Sequence, residues 1–279
     1  MPAPDIFLVE DTLWVAYAPT GTPAYDFGFE PLFQCRRPYA PPTDAKLVAR
    51  TGAFTDYENQ YSDFAELGFS LVNTPDEHLR ATTLSRWYPL IESYTPRSIV
   101  FDEIPSVEDV ERDFTYPIFI KGERQTAKHK ADLCVARSRD DLVRILDEYR
   151  CHPVLHWQKL VCREYIDLRS VDAHKKTDKV DAAFEFRTFW LEGQLVGAGP
   201  YWAEFATYTW TATEREEALQ VASEVCDAVN VPFLVVDLAQ TASGQWVCIE
   251  CNDGQESGYG GVNPIEMWRA VLDVHARRT

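Results

Sequence analysis

The fold is decided by two neighbouring segments, Val235-Val236-Asp237-Leu238-Ala239 and Trp246-Val247-Cys248-Ile249-Glu250-Cys251-Asn252-Asp253. Both are rich in Val and Ile, and the polar, glycine-containing stretch between them is typical of a hairpin turn. Asp237 interrupts the apolar run of the first strand, whereas Glu250 and Asn252 lie two residues apart on the second and therefore share a face. Three oxygen ligands on adjacent strands suit Mg2+, because phosphate oxygens can complete the coordination of this ion. The pattern predicts a metal site at these three residues.

The same pattern has a structural alternative, in which the acids are solvated at the edge of a sheet beside a tight turn. Carboxylates inside apolar strands cost free energy unless they are paired or bound to a ligand. From the spacing alone, both interpretations stay open.

Cys248-x-x-Cys251 resembles half of a redox or zinc site. Strand alternation predicts that the two thiols point to opposite faces, with Glu250 and Asn252 interleaved. The sequence contains no second Cys-x-x-Cys pair, so we expect no zinc site here.

Charge and composition exclude several classes of protein. The 279 residues include 44 acidic and 27 basic side chains, which gives a formal net charge of -17. Such a surface repels phosphate backbones and anionic lipids, so neither a nucleic-acid nor a membrane partner is expected. No apolar run approaches the roughly 20 residues of a membrane span, and the first residues lack the features of a signal peptide. The seven cysteines without framework spacing predict reduced thiols in a cytoplasmic protein.

The first hundred residues predict an alternation of strands and helices. Short apolar strands are expected at 6–9, 13–17, 47–50, 69–72 and 99–101. Residues 18–45 predict a long irregular connection, and the segment from Thr51 to Glu58 is expected to be a loop. A helix follows the turn at 73–75, with an apolar face formed by Leu79, Leu84, Trp87 and Leu90.

Lys121 ends the fully apolar strand 116–122. A buried lysine loses several kcal/mol of hydration unless it meets an anion. The alternative is a strand-end lysine whose ammonium group reaches solvent. The polar loop 123–130 that follows is typical either of a phosphate-binding segment or of a solvated hairpin tip.

The segment 184–190 alternates strictly. Phe184, Phe186, Thr188 and Trp190 share one face, and the other face is formed by Glu185, Arg187 and Phe189. We expect Arg187 to face a cleft, the alternative being an ordinary Glu185–Arg187 neighbourhood on the sheet surface. A strongly amphipathic helix at 214–230 then leads to the strand of Asp237.

The order of these elements resembles the ATP-grasp superfamily over about residues 70–265. Residues 117–122 resemble the family's first nucleotide-binding lysine strand, and residues 160–166 resemble its hinge, whose backbone groups bind adenine. Residues 73–75 resemble the end of the domain that precedes ATP-grasp units, and residues 252–261 resemble the acceptor-side loop. Each motif is only a handful of residues long, so the resemblance rests on their joint order and spacing.

The resemblance implies roles for individual residues. The implied ATP ligands are Lys121, Arg124, Thr126, Lys128, Lys159, Glu164, Tyr165, Ile166 and Asp167, and the implied magnesium ligands are Asp237, Glu250 and Asn252. Among the ATP ligands, Asp167 would bind ribose and Lys159 would be the family's second lysine, although Cys134-Val135 can hold that structural place without a lysine. Arg187 would act with Lys121 in catalysis by stabilising the transferring group. The loop that contains Arg124 has fewer glycines than is usual for this family. Which of Arg124, Thr126 and Lys128 contacts phosphate therefore stays open.

The predicted fold class is α/β (α+β), with an N-terminal α/β domain of the kind that precedes ATP-grasp units, followed by a two-subdomain ATP-grasp fold. The N-terminal domain would span residues 1–105 and the ATP-grasp domain residues 106–279. Within the latter, the lid subdomain would cover about 115–160 and the C-terminal subdomain about 161–279.

The implied function is a ligase that uses ATP and Mg2+ to join a carboxylate to an amine or similar nucleophile through an acyl phosphate. The expected partner is a small-molecule or peptide substrate, and a homodimer is the commonest assembly for a soluble protein. Two alternatives stay open: an ATP-dependent small-molecule kinase on the same scaffold, and a non-catalytic nucleotide-binding interaction module.

Overall fold

The computed structural model describes residues 4–39, 43–53, 56–124, 131–151, 158–175 and 180–277. Within these ranges the chain forms three β-sheets and eight α-helices, which confirms the predicted mixed α/β class. None of the helices in this part of the chain has the length and apolar character that crossing a membrane requires.

The first sheet is formed by the N-terminal part of the chain. Its strands are β1 (Asp5–Val9), β2 (Leu13–Tyr17), β3 (Cys35–Arg36), β4 (Ala45–Arg50) and β5 (Phe69–Leu71). Their order is β3-β1-β2-β4-β5, with β1 and β2 antiparallel and β2, β4 and β5 parallel. The helices α1 (Tyr57–Glu66), α2 (Pro75–Thr82) and α3 (Leu84–Trp87) complete this region. The predicted opening hairpin and the predicted α/β alternation are therefore confirmed.

Two local predictions in this region were wrong. The expected loop at 51–58 ends where α1 begins at Tyr57, because the Asp56 side chain caps the helix by accepting a hydrogen bond from Asn59 N at 3.1 Å. The single helical face expected for the segment after residue 75 is also interrupted, because Thr83 is extended between α2 and α3. As a result Leu79 and Leu90 are 38% and 46% exposed.

The second sheet carries Lys121. Its strands are β6 (Ser98–Phe101), β7 (Ile118–Gly122), β8 (Val135–Ala136) and β9 (Leu160–Glu164), all antiparallel in the order β6-β9-β7-β8. The helices of this region are α4 (Val107–Asp113), α5 (Ala131–Cys134) and α6 (Arg139–Cys151). Because β6 pairs with β9, this sheet includes a strand that the predicted division at residue 105 assigns to the N-terminal domain.

The third sheet carries the two segments that decide the fold. Its strands are β10 (Glu185–Leu191), β11 (Gln194–Pro200), β12 (Phe233–Gln240) and β13 (Trp246–Asp253), antiparallel in the order β11-β10-β12-β13. The helix α7 (Ala212–Val229) covers one face, where it packs on Phe186 and Val236. The other face packs through Phe189 and Val235 against the first sheet and α8 (Pro264–Ala276). The predicted alternation along 184–190 is confirmed.

An irregularity in the pairing of β12 with β13 changes the faces of the second strand. Asp237 lies opposite Glu250, whereas Leu238 lies opposite Cys248, so Ile249 is an extra residue in β13. The prediction that Cys248 and Cys251 point to opposite faces is therefore wrong, and their sulfur atoms lie 4.0 Å apart in the core under α7. Both thiols are buried and belong to that core.

Candidate functional site

A cavity of about 290 Å³ lies between the second and third sheets. Five of the residues predicted to bind ATP line it, namely Lys121, Glu164, Tyr165, Ile166 and Asp167. Glu164 is the last residue of β9, and the other three follow it directly where the chain leaves the second sheet. The structure therefore brings the predicted lysine strand and the predicted hinge to the walls of one cavity.

Arg187 and Asp237 form a bidentate ion pair beside this cavity. They lie opposite each other on β10 and β12, and Arg187 Nε and Nη2 donate to Asp237 Oδ1 and Oδ2 at 2.9 and 2.8 Å. Burial disfavours the charged guanidinium, but Asp237 outweighs that effect and the pKa of Arg187 lies above its usual value. Arg187 Nη1 also donates to Gly258 O at 2.8 Å. Burial raises the pKa of Asp237, and the charge of Arg187 opposes that shift. The pair is thus fixed in geometry by two charge-assisted hydrogen bonds.

Lys121 forms an ion pair with Glu250 across the cavity. Its side chain is 4% exposed, so the alternative of a strand-end lysine in solvent does not hold. Glu250 lies opposite Asp237 on β13, and the contact joins the second sheet to the third. Two cations and two carboxylates thus lie together where the two sheets meet, and each charge has a partner that offsets part of the cost of burying it.

Glu185 is the third acid on this face of the third sheet. Burial raises its pKa to about 8, and the neighbouring charge of Asp237 acts in the same direction. Its Oε2 accepts a hydrogen bond from Trp202 Nε1 at 2.7 Å. At neutral pH this carboxyl group is therefore mostly protonated, and it adds little charge to the cluster.

Glu185→Gln is expected to stabilise the protein increasingly as the pH rises. Wild-type Glu185 keeps its proton in the folded state up to about pH 8, whereas the unfolded chain loses it near the ordinary pKa of 4.5. Wild-type stability is therefore lost as the pH rises through this window, by at most about 1.4 kcal/mol per pH unit. Urea unfolding at pH 5, 6.5 and 8 should show an advantage of Glu185→Gln that grows with pH. The exposed Glu217→Gln serves as the control, and an advantage independent of pH would contradict the assignment.

The predicted metal ligands share one face of the third sheet. Asp237 pairs in register with Glu250, and Asn252 pairs with Val235 on the same side of β12. Among the residues that the structure describes, no three His, Cys, Asp or Glu side chains lie close enough to hold a metal ion. The predicted set contains two carboxylates and one amide. These oxygen donors suit a hard cation that also binds phosphate oxygens. In this structure the two carboxylates form ion pairs, Asp237 with Arg187 and Glu250 with Lys121.

Two other predicted ATP ligands, Lys159 and Arg124, do not line the cavity. Lys159 is 45% exposed and forms an ion pair with Asp102 at 2.6 Å. Arg124 instead contacts His78, with 3.1 Å between its Nη2 and the imidazole Nε2. Thr126 and Lys128 lie outside the described residues, so their roles stay predictions.

Sequence reasoning missed two arginines that line the cavity, Arg137 and Arg163. Arg137 follows β8, where Val135 lies opposite Phe119, and strand alternation from Val135 would have indicated its direction. Cys134-Val135 was the alternative place for the family's second lysine. Arg137 follows this segment directly after β8, so an arginine lies where the family has a lysine. Arg163 is held by Ser98 Oγ at 2.9 Å and by Ile249 O at 2.7 Å.

The loop after β13 is fixed by the N-terminal region. Arg50, which is 3% exposed at the end of β4, donates through Nη1 to the carbonyl oxygens of Gly254, Gln255 and Ser257 at 2.9, 3.0 and 2.8 Å. A Cβ atom at Gly254 would lie 2.5 Å from the Phe233 ring, so only glycine fits there. The loop predicted to lie on the acceptor side is thus held in one conformation after the strand of the predicted metal ligands Glu250 and Asn252.

Three solved structures share this fold over most of their length. A RimK domain ATP-grasp protein from Sphaerobacter thermophilus is 13% identical and aligns over 85% of this chain and 84% of that chain, with a TM-score of 0.58. D-alanyl-alanine synthetase A from Vibrio cholerae is 13% identical over 88% and 80%, with a TM-score of 0.57. D-alanine–D-alanine ligase from Bacillus anthracis, complexed with ATP, is 11% identical over 84% and 79%, also with a TM-score of 0.57.

At such identities, structural similarity shows the fold alone. No curated protein sequence matches the chain. The profile of one ATP-grasp domain family, numbered as the third family of its clade, matches residues 92–271. That span includes the whole second sheet, the whole third sheet and the Lys121–Glu250 and Arg187–Asp237 ion pairs. The chain therefore belongs to this family of ATP-grasp domains.

Proposed function

We propose that this protein is a ligase that uses ATP and Mg2+ to join a carboxylate to an amine or similar nucleophile. The observation that carries the proposal is that Lys121 and Glu250 line the cavity as an ion pair, while the Arg187–Asp237 pair lies directly beside Glu250 in the third sheet. Transfer of a phosphoryl group needs mainly positioning and neutralisation of charge, and these four groups supply both signs of charge at fixed positions. The ligases of similar fold support this choice of reaction class.

Different residues of the cavity wall would bind the adenine, the ribose and the phosphates of the nucleotide. The backbone of Glu164 to Ile166 would bind adenine, and the complex of the Bacillus anthracis ligase with ATP supports a nucleotide in this fold. Lys121 and Arg137 would donate to phosphate oxygens from β7 and from the residue after β8. Asp167 would accept from ribose hydroxyls.

Mg2+ would be held by Asp237, Glu250 and Asn252, and when bound it would neutralise phosphate charge. Lys121 would then donate to phosphate oxygens instead of to Glu250, which frees this carboxylate as a ligand. Arg187 is held by Asp237 and Gly258 O, and its guanidinium would stabilise charge that develops on the transferring group.

The proposed reaction has two balanced steps. A carboxylate oxygen of the substrate attacks the γ-phosphorus of ATP, which forms an acyl phosphate and releases ADP. The amine then attacks the acyl carbon, the C–O bond to phosphate breaks, and the amide, inorganic phosphate and a proton are released. Trp202 and Tyr201 line the same cavity and would help to keep water from the acyl phosphate.

Hydroxylamine trapping tests this proposal, because hydroxylamine can replace the natural amine whatever its structure. The enzyme is incubated with ATP, Mg2+, hydroxylamine and each member of a carboxylate panel that includes amino acids, dipeptides and dicarboxylates. We expect ADP and a hydroxamate to form in equal amounts with at least one carboxylate, and Lys121→Met to lose both products. A stable phosphorylated product without hydroxamate would instead support the kinase alternative and contradict the ligase assignment.

A further inference from the structure

Asp253, His78 and Arg124 form a chain of side-chain contacts that joins the end of β13, α2 and the segment after β7. His78 Nδ1 lies 3.0 Å from Asp253 Oδ2, and His78 Nε2 lies 3.1 Å from Arg124 Nη2. The side chains of His78 and Asp253 are 1% and 0% exposed. The Tyr57 ring stacks on the imidazole with a centroid distance of 3.9 Å and an interplanar angle of 7°. The imidazole is therefore held at both nitrogens and over one face.

These contacts determine the tautomer of His78. A guanidinium group has only donors, so the Nε2 atom that faces Arg124 must be the acceptor. The proton of the neutral imidazole then lies on Nδ1, from which it is donated to Asp253 Oδ2. Glu256 is also near the ring, and its Oε1 lies 3.9 Å from the same Nδ1 atom. Arg124 therefore remains the partner of Nε2. Asp253 thus makes His78 an acceptor toward Arg124.

The chain of contacts joins three parts of the molecule. His78 lies on α2 of the N-terminal region, Asp253 directly follows the proposed metal ligand Asn252, and Arg124 comes three residues after Lys121. A second contact at the same place supports this connection, because Ser85 on α3 donates to Glu123 Oε1. The strand that carries Lys121 is therefore attached at its end to the N-terminal helices.

We propose that His78 is a positioning residue, whose Nε2 accepts from Arg124 and thereby holds the end of the strand that carries Lys121 against the N-terminal helices. This inference rests on the proposed function, since Lys121 acts there on the phosphate oxygens of a bound nucleotide. A buried histidine that only fills space would not require an acceptor at Nε2. A positioning role and a packing role therefore differ in the tautomer of His78. They also differ in whether the effect of replacing His78 depends on the presence of Arg124.

The first experiment measures the tautomer directly in the ligand-free protein. Two-dimensional 15N–1H spectra of the imidazole nitrogens are recorded for wild type, and His78→Gln identifies the signals of His78. We expect a neutral ring with the proton on Nδ1. A ring protonated on Nε2, or on both nitrogens, would overturn the proposal because neither form can accept from Arg124.

The second experiment is a double-mutant cycle on the Michaelis constant for ATP. Arg124→Met and His78→Leu are each expected to raise KM by about tenfold, the effect of losing one hydrogen bond to a charged group. The double variant should be no worse than Arg124→Met alone, and His78→Gln, which keeps an acceptor oxygen, should recover most of the loss. Additive effects would overturn the proposal and leave His78 a structural role.

The two experiments separate failure of this inference from failure of the proposed function. A wild-type protein with no ATP-dependent turnover would contradict the proposed function, and the positioning role toward a nucleotide would fall with it. An active wild type with additive variants would overturn the positioning role alone. Thermal unfolding of each variant accounts for the packing that His78→Leu removes beside Asp253.

Discussion

Glu250→Gln is expected to reduce ATP turnover by at least about 10²-fold, the effect of removing one group that stabilises charge in a transition state. Glu250 lies opposite Asp237 on β13 and faces Lys121 across the cavity. The substitution removes one of the two carboxylates that would hold Mg2+, while the amide keeps the shape of the side chain. Turnover is measured as ADP release under saturating ATP, with the carboxylate and amine found by hydroxylamine trapping.

The exposed Glu217 on α7 provides the matched control, since Glu217→Gln makes the same chemical change outside the cavity. We expect this control to retain wild-type turnover. Because Glu250→Gln also removes the carboxylate that faces the buried Lys121, circular dichroism must confirm that the variant is folded at the assay temperature. Full turnover by folded Glu250→Gln would exclude a role for this side chain in metal binding.

Arg187→Met is expected to lower the free energy of unfolding by about 3–5 kcal/mol, the range for breaking a buried ion pair from one side. Asp237 is 1% exposed and makes two hydrogen bonds to this guanidinium. The substitution leaves the carboxylate in the sheet without the cation that compensates its burial. The measurement is urea unfolding at pH 7, followed by far-ultraviolet circular dichroism.

The double variant Arg187→Met/Asp237→Leu separates stability from activity. Replacing both partners with apolar side chains removes the uncompensated charge, so most of the lost stability should return. Turnover should stay absent, because a proposed metal ligand and the proposed catalytic cation are both missing. A double variant as unstable as Arg187→Met would show that the ion pair does not explain the stability, and an active double variant would contradict both assigned roles.

The parts of the fold that follow from local periodicity were predicted well. Alternation along 184–190 placed Glu185 and Arg187 on one face, and the spacing of Glu250 and Asn252 placed them together, as the strand register confirms. These results depend only on the two-residue period of a strand. The order of such elements along the chain was also enough to recognise the superfamily, which the family profile confirms.

Features that depend on one extra residue or on distant partners were not predictable. The extra residue Ile249 reverses the phase of β13, which brings Cys248 and Cys251 to the same face, and no spacing rule reports such a bulge. The contact of Lys121 with Glu250 joins residues 129 positions apart. Its existence depends on how two sheets pack, so the sequence indicated only that Lys121 needs an anion.

His78 shows the same limit for a polar group inside a helix. The apolar spacing after residue 75 indicated only Leu79, Leu84, Trp87 and Leu90, because an isolated histidine in an amphipathic pattern has no distinguishing signal. Its partners Asp253 and Arg124 come from two other parts of the chain and meet only in the folded protein. Arg137 differs, because counting from Val135 along β8 would have found it.

Calorimetric titration with a non-hydrolysable ATP analogue, with and without Mg2+, tests the central claim most directly. Binding is expected to strengthen by at least about tenfold when Mg2+ is present, which corresponds to about 1.4 kcal/mol. Lys121→Met should weaken binding in both conditions, whereas Glu250→Gln should remove the dependence on Mg2+. Failure of the wild-type protein to bind the analogue at millimolar concentration, or equal binding with and without Mg2+, would contradict the claim that Asp237, Glu250 and Asn252 form the metal site of a nucleotide cavity.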